Sequence, residues 1–267
     1  ADRVGVEVLQ KDGSYLNLSG NQIGAIMAKY ILEAHKNAGT LPENAALCKS
    51  IVSTDLVTKI AESYGATMFN VLTGFKFIAE KIQEFEEKHN HTYMMGFEES
   101  FGYLIKPFVR DKDAIQAVLV VAELAAYYRS RGLTLADGIE EIYKEYGYYA
   151  EKTISVTLSG VDGAEQIKAI MAKFRNNAPK EWNATEITVV EDFKAQTATD
   201  ADGTVTNLTT PPSDVLKYTL ADGSWIAVRP SGTEPKIKFY IAVVGESNED
   251  SQAKIANIEA EINAFVK

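Results

Sequence analysis

A chain of 267 residues, 46% hydrophobic and 24% charged, has the material for one large globular domain or two ordinary ones. Its formal net charge of −10 excludes broad electrostatic attraction to nucleic acid, so a bound anion must be held by a local cluster of donors. No apolar run nears the roughly 20 residues that span a bilayer, and the lone Cys48 excludes an internal disulfide and fits a reducing cytoplasm.

The chain opens on "ADRVGVEV", an alternating strand with Val4, Val6 and Val8 on one side and no lead-in. A start in mid-strand suggests a fragment. Ser19 caps the next element, a helix whose apolar residues Ile23, Ile26, Met27, Tyr30 and Ile31 recur at helical spacing. "LCKSIVS" reads as a short buried strand, and a helix around Asp55–Tyr64 ends near Gly65. "ATMFNVLTGF" is a strand running into a loop, followed by an amphipathic helix with Phe77, Ile78, Ile82 and Phe85 inward. "HTYMMGFEES" is a strand ending in polar residues. "DKDAIQAVLVVAELAAYYRSRG" predicts a long, largely buried helix, and "TLADGIEEIYKEYG" another. To about Gly147 strand and helix alternate, the pattern of an α/β unit with helices on the faces of a small sheet.

Beyond that point the pattern changes. A clean alternation in "TISVTLSG" precedes a helix of about 15 residues from Ala164. "NATEITVVEDFKAQT", "KYTLADGSWIAVR" and "KIKFYIAVVG" are strands, with Asp222-Gly223 as a two-residue hairpin turn. The segment "TATDADGTVTNLTTPPSD" is the most loop-like and is expected to be mobile. A last helix is capped by Ser247 with Asp250 and buries Ile255, Ile258, Ile262 and Phe265. This half is α+β, with an antiparallel sheet and packed helices.

Four stretches could carry chemistry. In "RPSGTEPK" the guanidinium of Arg229, the hydroxyls of Ser231 and Thr233 and the bare backbone of Gly232 lie between Pro230 and Pro235. Such a loop can cradle a phosphate, or it can be a rigid hairpin that satisfies its own backbone. In "GFEESFG", Glu98 and Ser100 stand two apart at the C-terminal end of a strand, where α/β sheets bind ligands. Together they could accept from and donate to vicinal sugar hydroxyls; alternatively Glu98 or Glu99 caps the turn. Thr73 and Gly74 in "LTGFK" open a helix whose N-terminus suits an anion or sugar oxygen. Lys112, between Asp111 and Asp113, is either part of an ordinary helix start or a proton-transfer group at a cleft edge. His89 and His91 have metal-like spacing but no partner set, and a solvated loop explains them.

Taken in order, these stretches resemble the α-D-phosphohexomutases across essentially the whole chain. "ADRVGVEV" is similar to the end of the family's metal loop, "TGFK" to a substrate loop of its third domain, "GFEESFG" to its sugar loop, and "RPSGTEPK" to the phosphate loop of its fourth domain. The resemblance implies a remnant of domain 2 at residues 1–14. A sugar-binding three-layer α/β/α domain with a small mixed sheet follows at 15–148, then a phosphate-binding α+β domain at 149–267. It implies that Glu98, Ser100, Thr73, Gly74 and Arg3 face the sugar and that Arg229, Ser231, Gly232 and Thr233 hold the non-reacting phosphate. Lys112 becomes the proton-transfer candidate and Asp2 the third ligand of an incomplete Mg²⁺ site.

The implied parent reaction interconverts glucose 1-phosphate and glucose 6-phosphate through a phosphoserine and a glucose 1,6-bisphosphate. The Ser-His nucleophile motif is missing from this sequence, as are two of three metal-loop aspartates. The chain alone is therefore expected to be inactive and to bind no metal tightly, its partners being a hexose phosphate and the missing N-terminal domains. "GFEESFG" favours glucose over the mannose-handling "GEMSGH" form. The alternatives are a mannose or pentose specificity, or a stand-alone sugar-phosphate-binding module. Neither nucleic acid nor membrane is expected as a partner, and the location is expected to be cytoplasmic.

Overall fold

The computed structural model describes residues 1–158, 162–232 and 234–266. They form two compact units, Ala1–Gly147 and Tyr148–Lys267.

The first unit begins with an antiparallel hairpin, β1 (Val6–Leu9) and β2 (Tyr15–Leu18), closed by a turn with Gly13 at φ 86. There follow α1 (Gly20–Asn37), β3 (Ala45–Ser50), α2 (Leu56–Ser63), β4 (Thr67–Val71), α3 (Phe75–Lys88), β5 (Thr92–Glu98), β6 (Gly102–Leu104), α4 (Ala114–Ser130) and α5 (Leu135–Tyr146). The sheet runs β4-β3-β5-β6. The first three strands are parallel and β6 returns antiparallel to β5, which makes the sheet small and mixed as expected. Adjacent residues of β5 show why helices must cover both faces. A Cβ on Gly96 would lie 2.8 Å from Ile78 of α3, whereas the Phe97 ring fills the space left by Gly24 of α1. The result is the α/β/α sandwich.

Central strand β3 is buried along its whole length, including Lys49. Its ammonium is satisfied by Ser53 O at 3.1 Å and Asp55 Oδ1 at 2.8 Å, as a buried charge requires.

The second unit holds β7 (Tyr148–Thr157), α6 (Gly163–Asn177), β8 (Glu181–Trp182), β9 (Thr185–Asp192), β10 (Thr197–Asp200), β11 (Val205–Asn207), β12 (Leu216–Leu220), β13 (Trp225–Pro230), β14 (Lys236–Gly245) and α7 (Asn248–Val266). All pairings are antiparallel, in the order β11-β10-β9-β12-β13-β14-β7 with β8 on β9. Ile167, Met171 and Phe174 of α6 pack with Ile255, Ile258 and Ile262 of α7 on alternate residues of the sheet, among them Ile226, Val228, Ile237 and Phe239. The α+β architecture read from the sequence is the observed one.

Five expectations need correction. Short strands β2 and β6 escape the sequence reading because three or four residues carry too little periodicity. The stretch expected to be loop-like contains the β10–β11 hairpin, whose Thr and Val residues suit a strand and whose Gly203 turns at φ 85. The Asp222-Gly223 turn is a three-residue loop, not a two-residue one: Leu220 N donates to Ser224 O, and Gly223 takes the left-handed position. Helix α4 is not largely buried; only Ala114, Ala117, Leu124 and Tyr128 are. His91 is not in a solvated loop, since its ring packs 4.9 Å from Phe69 and 5.1 Å from Phe85.

Candidate functional site

In the first unit the C-terminal ends of the parallel strands converge on Glu98. This last residue of β5 is only 7% exposed, and its carboxylate accepts from Gly74 N at 2.7 Å. Gly74 caps α3 with φ 126, so the carboxylate occupies the positive end of that helix. Burial pushes the pKa of Glu98 above the ordinary carboxylate value; the Gly74 N–H opposes the shift, Glu99 adds to it, and the nearby charges of Lys112 and Arg3 oppose it. Beside Gly74, the Thr73 hydroxyl oxygen is buried with no hydrogen-bond partner. An orphaned donor in such a place marks a site that a ligand hydroxyl can complete.

Glu99 points elsewhere. Its carboxylate accepts from Ser50 Oγ at 3.0 Å and Ser53 Oγ at 3.3 Å, and its N–H donates to Ser53 Oγ at 3.1 Å. The turn holding Glu98 and Ser100 is thereby clasped to the end of β3. The sequence reading missed this role of Ser50 and Ser53, which no local pattern announces. Phe101 completes the turn at φ 68.

Lys112 crosses this turn from the far side. Its stem runs over Gly102, where a Cβ would lie 2.4 Å from Lys112 Cδ. Its Nζ lies 2.8 Å from Asp111, 3.7 Å from Asp2 and 5.3 Å from the centre of the Phe75 ring. Asp113 caps α4 by accepting from Ile115 and Gln116 N–H, the ordinary helix start for that residue. Arg3 bridges to Gly102 and Val4 N donates to Phe101 O at 3.2 Å, so the first residues are threaded along the same turn. Thr73, Gly74, Glu98, Lys112, Arg3 and Asp2 are thus brought to one neighbourhood, with Ser100 on its turn. One carboxylate beside a lysine does not make a Mg²⁺ site. Among the described residues no group of three or more acidic, His or Cys side chains is placed to hold a metal.

The second unit carries the other loop. Ser231 N donates to Lys236 O at 2.7 Å, and Ser231 Oγ accepts from Glu234 N at 3.3 Å, so part of the loop satisfies its own backbone, as the rigid-hairpin alternative expects. Gly232 has open space where a Cβ would stand, and Thr233 lies outside the described residues. Pro230, Ser231, Gly232, Pro235, Lys168 and Met171 line a cleft of about 510 Å³. Arg229 sits directly opposite Lys238 in the β13–β14 ladder, on the face away from the helices. Like charges placed opposite each other are unfavourable unless an anion lies near. Lys238 went unremarked in the sequence reading, though the alternation of "KIKFY" places it with Lys236.

Residues 19–146 match the family model described as phosphoglucomutase/phosphomannomutase, alpha/beta/alpha domain III, and residues 161–264 match the model of its C-terminal domain. The chain belongs to the phosphoglucomutase/phosphomannomutase family. It is 37% identical over 256 residues to a phosphoglucomutase of Staphylococcus aureus, a match that covers 96% of this chain and 45% of that protein. A Staphylococcus epidermidis phosphoglucomutase is 38% identical over 244 residues, covering 91% of this chain and 43% of the relative. The chain therefore spans less than half the length of these relatives. Among solved structures, parafusin from Paramecium, a phosphoglucomutase in its open form, superposes with a TM-score of 0.66 at 18% identity, covering 99% of this chain and 44% of that one. The Aspergillus fumigatus N-acetylphosphoglucosamine mutase, solved with GlcNAc-6P and magnesium, gives 0.53 at 13%, with coverage of 100% and 48%. At these identities the structural likeness speaks for the fold alone.

Proposed function

We propose that this chain supplies the sugar- and phosphate-recognition domains of a phosphoglucomutase, which interconverts glucose 1-phosphate and glucose 6-phosphate. One observation carries the reading. The buried Glu98 carboxylate stands beside the unsatisfied Thr73 hydroxyl in a chain 37% identical to phosphoglucomutase over 96% of its length. A carboxylate kept from water and a donor kept without a partner suit paired sugar hydroxyls, which would accept from one and donate to the other. Ser100 and Gly74 line the same place, and Arg3 adds a cation at its edge.

In the second unit Arg229, Ser231, Gly232 and Thr233 hold the phosphate that is not reacting, with Lys238 beside Arg229 on the neighbouring strand. The phosphoryl group itself passes between a serine outside this chain and a sugar oxygen. One P–O bond breaks as another forms, and the incoming hydroxyl loses its proton. We assign the handling of that proton to Lys112, whose Nζ lies in the same neighbourhood as Glu98. Asp2 could contribute one carboxylate to a Mg²⁺ ion whose other ligands lie outside these residues; the ion would offset charge on the transferring phosphoryl.

Calorimetric titration with glucose 1-phosphate tests the reading. Half of a site should bind with Kd on the order of millimolar, about −4 kcal/mol. Loss of the charge-assisted bonds in Arg229→Ala should weaken it by roughly 1.5–3 kcal/mol. Equal affinity in the variant would remove the phosphate role from Arg229. Tighter binding of mannose 1-phosphate or N-acetylglucosamine 1-phosphate would move the specificity away from glucose.

A further inference from the structure

Glu99, Ser100 and Phe101 separate the end of β5 at Glu98 from the start of β6 at Gly102. This short turn does not hold its own shape. Phe101 sits at φ 68, a left-handed conformation that a bulky side chain disfavours and that persists only where the surroundings impose it. The β3–α2 loop imposes it. Ser53 Oγ accepts from Glu99 N at 3.1 Å, and both it and Ser50 Oγ donate to Glu99 Oε2, at 3.3 and 3.0 Å. Backbone and side chain of one residue are thereby gripped together.

Both serines are fully buried, and alanine would stand there at less desolvation cost if packing were the only demand. The loop that presents them is itself braced on three sides. Lys49 Nζ lies between Ser53 O at 3.1 Å and Asp55 Oδ1 at 2.8 Å. Thr54 N donates to Asn21 Oδ1 of α1 at 3.1 Å, and Ile51 N donates to Val71 O at the end of β4 at 2.8 Å. One side of the clasp is therefore a rigid strut, and the other side bears the groups that face a ligand.

We infer that Glu99, Ser50 and Ser53 are positioning residues, which hold Glu98 and Ser100 in the orientation that grips a hexose without touching the sugar themselves. The inference rests on the phosphoglucomutase reading and names what sets the affinity of its sugar half. A clasp formed before the ligand arrives removes the ordering of the turn from the cost of binding, so its loss shows in affinity for the sugar.

Amide NMR on the 267-residue chain tests this, because two glycines read the two halves separately. Gly74 N–H donates to Glu98 and reports the sugar turn, whereas Gly232 reports the phosphate loop. The parent chain, Glu99→Ala, Glu99→Gln and the double variant Ser50→Ala with Ser53→Ala are each titrated with glucose 1-phosphate and with inorganic phosphate. Glu99→Ala and the double variant should bind glucose 1-phosphate at least about tenfold more weakly at Gly74, while inorganic phosphate at Gly232 changes less than about twofold. Glu99→Gln keeps an oxygen that accepts from a serine and should recover to within about threefold of the parent. Parent-like affinity in Glu99→Ala or in the double variant would overturn the inference. So would a Glu99→Gln as weak as Glu99→Ala, or parallel losses for both ligands, which mark general loosening of the chain. If Glu99→Ala does not fold, the double variant and Glu99→Gln carry the same comparison. A parent chain in which glucose 1-phosphate leaves Gly74 unshifted defeats the mutase reading and the inference with it. A parent that binds, beside variants that bind equally well, defeats the clasp alone.

Discussion

Glu98 shows how one side chain can be held against its own stability. Water exclusion disfavours its charge, and the single N–H of Gly74 offsets only part of that. For a carboxyl whose folded-state value is raised, the contribution to stability is fully present below the ordinary value near 4.5 and is lost as pH rises through the folded-state value. Glu98→Gln keeps an acceptor for Gly74 and removes the charge. The variant should melt at a higher temperature than the parent chain at pH 8, with the gap closing towards pH 4.5, while its affinity for glucose 1-phosphate falls. A gap that does not depend on pH would show that Glu98 titrates as an ordinary surface carboxylate. Strain tolerated for binding is a common reason for such trade-offs.

At the scale of the element, α1 shows how local signals hold the site in place. Ser19 Oγ accepts from Gln22 N at 3.2 Å, and Gln22 Oε1 accepts from Ser19 N at 2.9 Å, a complete capping box. The next residue, Gly20, touches the site turn, for a Cβ there would stand 2.0 Å from Glu99 O. Helix start and sugar turn are therefore one structural unit. Ser19→Ala should cost about 1 kcal/mol in denaturant unfolding of the first unit. Gly20→Ala should cost more and also weaken glucose 1-phosphate binding, since the turn carrying Glu98 and Ser100 must move. If Gly20→Ala binds as the parent does, the turn is looser than its contacts with Ser50 and Ser53 imply.

At the scale of the whole molecule, the proposed function assigns the reacting serine to a part of the protein outside this chain. Phosphoryl transfer needs a nucleophile, and the family's Ser-His motif is missing from this sequence. With Mg²⁺ and a glucose bisphosphate primer, the purified chain should show no conversion of glucose 1-phosphate above a buffer control. Measurable turnover that survives repurification would require a nucleophile among these 267 residues and would overturn the division of labour proposed above.

Much of the architecture was legible in the residues themselves. The Ser19 cap, the helix stop at Gly65, the change from α/β to α+β character and the inward face of α7 all follow from local periodicity and backbone chemistry, which act over a few residues. Adjacency of Thr73, Glu98 and Lys112 was not legible that way; it came with the family resemblance. The pairing of the three-residue β6 with β5, the clasp of Glu99 by Ser50 and Ser53, the burial of Lys49 and the Arg229–Lys238 opposition depend on strand order and register, which no single segment encodes. For α4 the difference was sharpest. Its residues dictated an apolar helix, but only the packed fold decided which side its own unit would cover and which it would leave exposed, because burial is a property of neighbours and not of the residue.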